Sequence, residues 1–428
     1  MINPDSPDGS LRLDIAVSPV DKLARKLVFS QLQKMDVGCL TVRDVFGSTQ
    51  FGTKDSDREV TSVIHVSDLR FYRLTARRGG LGAAEAYFKG YWTSDDLTRT
   101  FRTFVRRIGK ETQIERTVNW LLSLDLNLKY RFRSNSKVGS KKNIRDHYDL
   151  GNDLFETFLD PTMAYSSGIF EHEHSTLEEA SIAKFERICQ KLSLTPELHL
   201  VEIGTGWGGF AIHAAKNYGC RVTTTTISKE QFELAKRRIA AAGVDDLVNI
   251  VMSDYRDLVG KYDRLVSIEM VEAVGDRYLE EYFQCCANLL KDDGCMVLQG
   301  ITMPDQSYSQ YLRQIDFIKY FVFPGSCCPS RTALLNAVTK STDLRMVNLE
   351  EIGPHYALTL KKWRENFVQN LEHIRELGYS EEFIRLWEFY LCYCEIGFSE
   401  RHIGDIQILL SKPKFRGQQY LPGVELTI

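Results

Sequence analysis

Residues 200–210 read Leu200-Val-Glu-Ile-Gly-Thr-Gly-Trp-Gly-Gly-Phe210, and this stretch is the strongest indication of the fold of the chain. An apolar run ends in a glycine-rich turn, and a helix is predicted to follow. α/β folds use such a strand–turn–helix unit to present backbone N–H groups to a cofactor. Gly204, Gly206 and Gly209 also fit the G-x-G-x-x-G spacing of a dinucleotide site, but this match alone has little specificity.

Strands and helices are predicted to alternate from about residue 198 onward. Strands are expected at 198–203, 221–227, 248–252, 262–268 and 294–302, and helices at 208–218, 229–242 and 276–290. This alternation of strands and helices predicts an α/β fold with a mostly parallel, Rossmann-like sheet. The cofactor is expected at the carboxyl ends of its strands. A helical insertion at about 308–340 and a helix-rich section at about 355–398 precede a last β-like run, Ile406–Leu410.

The first 125 residues are predicted to form a small, separate α+β domain. Residues 38–67 are rich in β-branched residues, and Leu97 and Phe101 then recur at helical spacing. A basic linker is expected at 126–145, and residues 146–428 are expected to form the catalytic domain. The stretch 129–145 holds no acidic residue, and its basic residues are Lys129, Arg131, Arg133, Lys137, Lys141, Lys142 and Arg145. This stretch is either a solvated linker or a segment that binds an anionic lipid surface. In the second case each basic residue close to the surface contributes roughly 1 kcal/mol of binding free energy.

Composition excludes several classes of protein. The 54 basic residues nearly balance the 57 acidic ones, so net charge does not indicate nucleic-acid binding. The N-terminus has neither a basic start nor an apolar core, which argues against a signal peptide, and no apolar run reaches the roughly 18 residues of a membrane span. The ten cysteines contain no C-x-x-C pair. We therefore expect reduced thiols, a cytoplasmic protein and no bound metal.

The second predicted strand argues against a nicotinamide cofactor. A dinucleotide fold places an acidic residue about 20 positions beyond the glycines to hold the ribose. Here Val222–Ser228 carries no acid, and Gln231 follows in the next helix. Asp254, Tyr255 and Arg256 end the third strand, where they can border an adenine. A compact cofactor with adenosine but no pyrophosphate, such as S-adenosylmethionine, fits this pattern better than NAD.

Several motifs, in one consistent order from about Arg145 to Lys412, resemble cyclopropane-fatty-acid synthases and the related mycolic-acid methyltransferases. They are His147-Tyr-Asp-Leu-Gly-Asn-Asp-Leu-Phe155, Tyr165-Ser-Ser167, Gly204-Thr-Gly-Trp-Gly-Gly209, Thr226-Ile-Ser-Lys-Glu-Gln231, Asp254-Tyr-Arg-Asp257, Glu272-Ala-Val-Gly275 and Tyr320-Phe-Val-Phe-Pro-Gly325. The resemblance implies a class I methyltransferase domain with S-adenosylmethionine lying over the glycine loop. The N-terminal residues fit the smaller domain of the family more loosely.

The same resemblance assigns cofactor-binding residues. Gly204, Gly206 and Gly208 are expected to approach the methionyl part, and Tyr165 with Ser166 to close over it. The ribose is assigned to Thr226 and Gln231, and the adenine to Asp254, Tyr255 and Arg256.

Catalytic residues also follow from the resemblance. Methyl transfer to an isolated alkene leaves a carbocation, and a base then removes a proton so that a cyclopropane ring closes. In the family a bound bicarbonate is this base, held by a Cys backbone, a Glu, a His, an Ile backbone and a Tyr. Glu272, Ile301 and Tyr356 match three of these positions, whereas Ser167 stands in place of Cys and Gln299 in place of His.

The expected activity is therefore the transfer of a methyl or methylene carbon to the double bond of an unsaturated fatty-acyl chain in a phospholipid, giving a cyclopropane fatty acid. A methyl- or methylene-branched product is left open by Ser167 and Gln299. An NAD-dependent oxidoreductase and a non-catalytic lipid-binding protein are the rival hypotheses. We expect peripheral contact with an anionic inner membrane face, and a homodimer is left open.

Overall fold

The computed structural model describes residues 17–36, 38–52, 60–106 and 151–417. The predicted linker 126–145 and its boundaries lie outside these ranges, so the division at 125 and 145 stays a prediction. The chain separates into two compact units. One contains the N-terminal residues with Ile315–Phe317 and Leu371–Glu400, and the other contains the remaining described residues.

The N-terminal unit is a four-stranded sheet with helices. Its strands are β1 (Cys39–Asp44), β2 (Gly47–Gly52), β3 (Thr61–Val66) and β4 (Trp92–Ser94), in the order β2-β1-β3-β4. Its first helices are α1 (Pro19–Leu32), α2 (Arg70–Phe88) and α3 (Leu97–Val105). The helices over Leu371–Glu376 and Glu381–Ser399 belong to this unit as well.

The second unit is built on a seven-stranded sheet with the order β10-β11-β9-β8-β5-β6-β7. The strands are β5 (His199–Ile203), β6 (Arg221–Thr226), β7 (Val248–Met252), β8 (Tyr262–Ile268), β9 (Leu290–Thr302), β10 (Arg345–Glu351) and β11 (Gly404–Ser411). β5 to β9 are parallel to one another, and β11 runs antiparallel to both of its neighbours. The prediction of a mostly parallel α/β sheet is confirmed.

Helices of this unit connect the strands and cover the sheet. They are α4 (Asn152–Glu156), α5 (Leu177–Leu192), α6 (Gly209–Tyr218), α7 (Lys229–Ala241), α8 (Leu279–Leu289), α9 (Asp305–Tyr311), α10 (Arg331–Ser341) and α11 (Gly353–Gln369). Helix α8 begins later than predicted because Asp276–Tyr278 forms a 3-10 turn. The predicted helical insertion at about 308–340 contains the end of α9, a π-helical turn over Ile318–Val322 and α10.

Apolar side chains on both faces of the sheet bury the strands. Val201 and Ile203 of β5 pack with one cluster, which includes residues of α8 and α10. Leu200, adjacent to Val201 and on the opposite face, packs with the other cluster, which includes residues of α5 and α6. This two-sided burial holds the carboxyl ends of β5, β6 and β8 at one edge, where most of the predicted site residues lie. Among the described residues, no helix is both long and apolar enough to cross a membrane.

Candidate active site

The glycine loop leaves open space at the carboxyl end of β5. Gly204 has φ +97° and Gly206 has φ +52°, conformations that residues with a Cβ rarely adopt. A Cβ on Gly204 would lie 3.4 Å from Met270 Cγ, whereas a Cβ on Gly206 would meet nothing within 4 Å. Gly208 starts α6 and also has positive φ. The loop thus offers backbone to an approaching ligand, which fits the predicted cofactor.

Thr226 and Gln231, the two residues assigned to the ribose, contact each other, and their binding of a ribose stays a prediction. The Thr226 hydroxyl donates to Gln231 Oε1 over 2.9 Å, and both side chains are buried. The Gln231 amide is thereby oriented, which makes Nε2 the end that can donate to a ribose hydroxyl. The site contains no acid at the end of β6, in agreement with the argument against NAD.

Asp254 and Arg256 form a bidentate ion pair after β7. Arg256 donates from Nε to Asp254 Oδ1 and from a terminal nitrogen to Oδ2, each over 2.8 Å. Hydrogen bonding to Asp254 raises the pKa of Arg256. Tyr255 packs edge-on against Tyr282, with 5.5 Å between ring centroids. The pair fixes the turn predicted to border the adenine.

Tyr165 and Ser166 have separate partners. The Tyr165 ring stacks on Trp363 with 5.2 Å between centroids, and it also contacts Phe155. Ser166 Oγ accepts a hydrogen bond from Lys184 Nζ over 2.6 Å. Burial lowers the pKa of the Lys184 ammonium to about 8. Their predicted contact with the cofactor stays a prediction.

Three predicted residues converge on a carboxylate that the sequence analysis missed. Glu269 Oε1 accepts from the Ser167 backbone N–H and from Gln299 Nε2, each over 2.8 Å. Glu269 Oε2 accepts from the Tyr356 hydroxyl over 2.6 Å. Burial raises the pKa of Glu269, while the hydrogen bond from Tyr356 and those from Ser167 and Gln299 act in the opposite direction.

Two further acids lie beside Glu269, and the three together are called the carboxyl cluster: Glu269, Glu272 and Asp405. Glu272 Oε1 accepts from the Ile301 backbone N–H, which brings together two predicted residues. Burial, followed by the charge of Glu269, raises the pKa of Glu272 to about 8. Burial and the charges of both glutamates raise the pKa of Asp405. Within the described residues, Glu272 Oε2 and Asp405 Oδ1 are buried without a hydrogen-bond partner.

Gln299 is oriented by a buried chain of side chains. Lys191 Nζ donates to Gln407 Oε1 over 2.7 Å, and Gln407 Nε2 donates to Gln299 Oε1 over 3.0 Å. An ammonium group can only donate, so both amides must point their NH₂ groups toward the carboxyl cluster. Gln299 therefore serves Glu269 as a hydrogen-bond donor.

The site residues that were not predicted have only weak signals in the sequence. Asp405 and Gln407 are polar positions in the otherwise apolar strand β11. Lys184 and Lys191 share the apolar face of α5 with Ile188, where charges are unusual. Glu269 directly follows the apolar strand β8. Each signal marks a buried polar group, but only the fold shows that they meet.

The predicted bicarbonate ion does not fit this arrangement. Its expected donors, from Ser167, Gln299 and Tyr356, already serve Glu269. An added anion would also face the acids of the carboxyl cluster. The S-adenosylmethionine site, in contrast, fits the residues present, because the Gly206 turn has room for a ligand against its backbone.

Comparisons with known proteins identify relatives of this chain. Residues 135–408 match the family described as Mycolic acid cyclopropane synthetase. The chain is 35% identical over 388 residues to Tuberculostearic acid methyltransferase UfaA1 of Mycobacterium tuberculosis, covering 89% of this chain and 90% of that protein. It is 34% identical over 352 residues to Cyclopropane-fatty-acyl-phospholipid synthase of Escherichia coli K12, covering 82% and 87%.

A solved structure extends the comparison to the fold. Mycolic acid cyclopropane synthase CmaA1, complexed with SAH and CTAB, has a TM-score of 0.60 and 30% identity, covering 64% of this chain and 98% of that one. The fold and the cofactor loop define an S-adenosylmethionine-dependent methyltransferase of class I. More particularly, the chain belongs to the mycolic acid cyclopropane synthetase family, as its motifs predicted.

Proposed function

We infer that this methyltransferase modifies the double bond of an unsaturated acyl chain in a phospholipid and that its product is a cyclopropane fatty acid. The observation that carries this proposal is the carboxyl cluster beside the glycine loop. A Cβ on Gly204 would lie 3.4 Å from Met270 Cγ, so the preceding residue, Glu269, follows β8 close to the loop over which we expect S-adenosylmethionine to bind. The similarity to the E. coli cyclopropane-fatty-acyl-phospholipid synthase supports the substrate class.

The chain's own residues exclude water and hold charge around the reaction. S-adenosylmethionine supplies an electrophilic methyl group when it is bound. The partly exposed ring of Tyr165, stacked on the fully buried Trp363, offers an electron-rich surface of the kind that stabilises a nearby carbocation. The carboxyl cluster provides negative charge at the same edge of the sheet, which favours the cationic transition state further.

A methyl- or methylene-branched acyl chain is the second candidate product. It is favoured by the similarity to Tuberculostearic acid methyltransferase UfaA1, which spans 89% of this chain. Both kinds of product arise from one carbocation, so the cofactor residues do not distinguish them. Direct loss of a proton from the added methyl group closes the ring, whereas a hydride shift before that loss gives a methylene branch. A saturated methyl branch additionally requires a hydride donor.

Mass spectrometry of the reaction product tests the proposal directly. The enzyme is incubated with methyl-labelled S-adenosylmethionine and vesicles of unsaturated phospholipid, and the acyl chains are then analysed. Label in a ring supports the first product, and label in a branch supports the second. Binding titrations with S-adenosylhomocysteine and NADH run in parallel. Tight NADH binding would favour the oxidoreductase hypothesis, and cofactor binding without label in any acyl chain would favour the non-catalytic lipid-binding protein.

Peripheral contact with an anionic membrane is part of the same proposal, and helix α1 supports it. Val20, Leu23 and Leu27 lie on one face of α1 with exposed fractions of 59%, 60% and 52%. Together with α2 they line an open groove of about 270 Å³. Exposed Lys26 and Arg77 stand nearby. An apolar stripe with basic neighbours is typical of a helix that binds an anionic lipid surface.

Vesicle sedimentation tests this contact. Replacing Val20, Leu23 and Leu27 by serine should weaken binding to anionic vesicles at least tenfold, about 1.4 kcal/mol. Val259→Ser is the matched control, because Val259 is 83% exposed in the other unit. Unchanged binding of the triple variant would exclude this face. Neutralising Lys137, Lys141 and Lys142, which lie outside the described residues, tests the linker separately.

A further inference from the structure

We propose that the Glu269 carboxylate is the proton acceptor of the reaction, at the position where the family resemblance predicts a bicarbonate ion. The inference deepens the proposed function and rests on it. It begins with the convergence of donors on one side chain. A backbone N–H, an amide and a phenol hydroxyl reach Glu269 within 2.6–2.8 Å, from residues 167, 299 and 356. These donors are three of the groups expected to hold the missing ion.

The donors also select which acid of the cluster carries the charge. Each hydrogen bond to a carboxylate favours its ionised form. Glu269 receives three of them, whereas Glu272 receives one from the Ile301 backbone and Asp405 receives one over 3.3 Å from Gln299. Among the described residues, the second oxygens of these two acids, Glu272 Oε2 and Asp405 Oδ1, have no hydrogen-bond partner. A single negative charge in the cluster therefore resides on Glu269. A second anion in the same place would be repelled at close range.

The backbone at Glu269 supports a functional role. Its φ is +47°, in the left-handed region that is uncommon for residues with a Cβ. Such a conformation costs about 1 kcal/mol or more, and it persists where the surrounding structure holds the residue. Glycine at this position would relieve the strain. A functional need for the carboxylate explains why a glutamate is present instead.

Its location suits proton transfer at the methyl acceptor. Ser267 of β8 lies opposite Ile203 of β5 in the sheet, so Glu269 follows the end of β8 beside the glycine loop. The residue as a whole is half-buried at this edge of the sheet.

The step balances without another reactant. The methyl carbon forms a bond to one alkene carbon, the carbon–sulfur bond breaks with its electron pair going to sulfur, and the other alkene carbon becomes cationic. Glu269 then accepts a proton from the added methyl group, and the electron pair of that C–H bond closes the ring. The neutral acid returns its proton to water as the product leaves.

Bicarbonate rescue of Glu269→Gly tests the inference. Glycine removes the carboxylate, relieves the left-handed strain and opens the donor set. In bicarbonate-free buffer we expect wild-type acyl methylation to be unchanged and the variant to lose at least 100-fold in rate. Added bicarbonate should restore part of the lost rate. Glu269→Gln, which fills the same space with a neutral amide, should be inactive and should not respond. Glu281→Gly, at an exposed position of α8, controls for the loss of a glutamate.

Binding of ¹³C-bicarbonate, followed by NMR line broadening, provides a readout independent of activity. We expect binding to Glu269→Gly and none to the wild-type protein. Stoichiometric binding to the wild type, or a wild-type rate that depends on bicarbonate, would overturn the inference. If the wild-type enzyme methylates no unsaturated phospholipid, the proposed function fails. The NMR titration would still decide whether Glu269 fills the bicarbonate position.

Discussion

Lys191 Nζ and Gln407 Oε1 lie 2.7 Å apart in the interior of the second unit, and neither side chain has exposed surface. Lys191 also pairs with Glu350 over 2.7 Å. Because the ammonium group can only donate, it sets the direction of the amide chain that ends at Glu269. We therefore expect Lys191 to be a positioning residue that acts on the reaction through Gln407 and Gln299.

Lys191→Met should leave the amides free to reverse, so that Gln299 presents oxygen to the carboxyl cluster. We expect kcat to fall roughly 10–100-fold, the range typical when a supporting hydrogen bond of a site is removed, with little change in affinity for S-adenosylhomocysteine. Lys216→Met, at an exposed lysine of α6, is the control. A Lys191→Met enzyme with wild-type kcat would show that the chain does not orient Gln299.

Gly206→Ala should weaken cofactor binding without unfolding the protein. Its added methyl group has space in the ligand-free loop but would project toward the predicted cofactor. We expect affinity for S-adenosylhomocysteine to fall at least tenfold, measured by calorimetric titration. Gly243→Ala is closely matched, since Gly243 has φ +68° and an added Cβ there would also meet nothing within 4 Å. Equal affinities for both variants would mean that the cofactor does not lie over Gly206.

The fold was predictable because its signals are local. Apolar runs broken by glycine and polar residues locate β5 to β9, and the glycine loop identifies the edge that binds ligand. Strand β10 escaped prediction because it is a half-exposed edge strand that carries Arg345, Asn348 and Glu350. Its pattern is too polar for a buried strand and too irregular for simple alternation.

The site was predictable only where a local motif existed. Ser167, Gln299 and Tyr356 were recognised, and the fold brings them together. Glu269 was missed because one acid after an apolar strand is not distinctive in sequence. Asp405 approaches it from 136 positions away along the chain, since β11 inserts beside β9 in the sheet. Contacts between polar residues that are far apart in the chain depend on the order of the strands in the sheet. The spacing of residues in the sequence does not reveal that order.

Glu202→Gln should make the stability of the protein less dependent on pH. Burial raises the pKa of Glu202 to about 8, from an ordinary value of 4.5. The folded state then binds the extra proton between these values, so the free energy of unfolding decreases as pH rises from about 5 to 8. The neutral amide avoids this loss and should stabilise the protein at pH 8 by on the order of 1–3 kcal/mol.

Urea denaturation at pH 5, 6, 7 and 8 measures this effect. The free energy of unfolding of the variant should still decrease somewhat as pH rises, because Glu272 also has a raised pKa in the folded protein. Glu230→Gln, at an exposed position of α7, should follow the wild-type curve. A Glu202→Gln curve parallel to that of the wild type would contradict the assignment of a protonated, buried Glu202.

Tyr356→Phe should shift the pH dependence of the reaction toward alkaline pH. The Tyr356 hydroxyl donates to Glu269 Oε2 and lowers the pKa of that carboxyl, so its removal raises the pKa. Glu269 accepts a proton only when it is ionised, and the acidic limb of the kcat profile should therefore move upward. A hydrogen bond to a charged group contributes about 1.5–3 kcal/mol, so kcat near neutral pH should fall roughly 10–100-fold and partly recover at higher pH. Tyr87→Phe removes a comparable hydroxyl–carboxylate contact, with Glu388, in the N-terminal unit and should leave the profile in place. A uniform loss of kcat at every pH in Tyr356→Phe would indicate that Tyr356 only packs against Trp363 and does not tune the base.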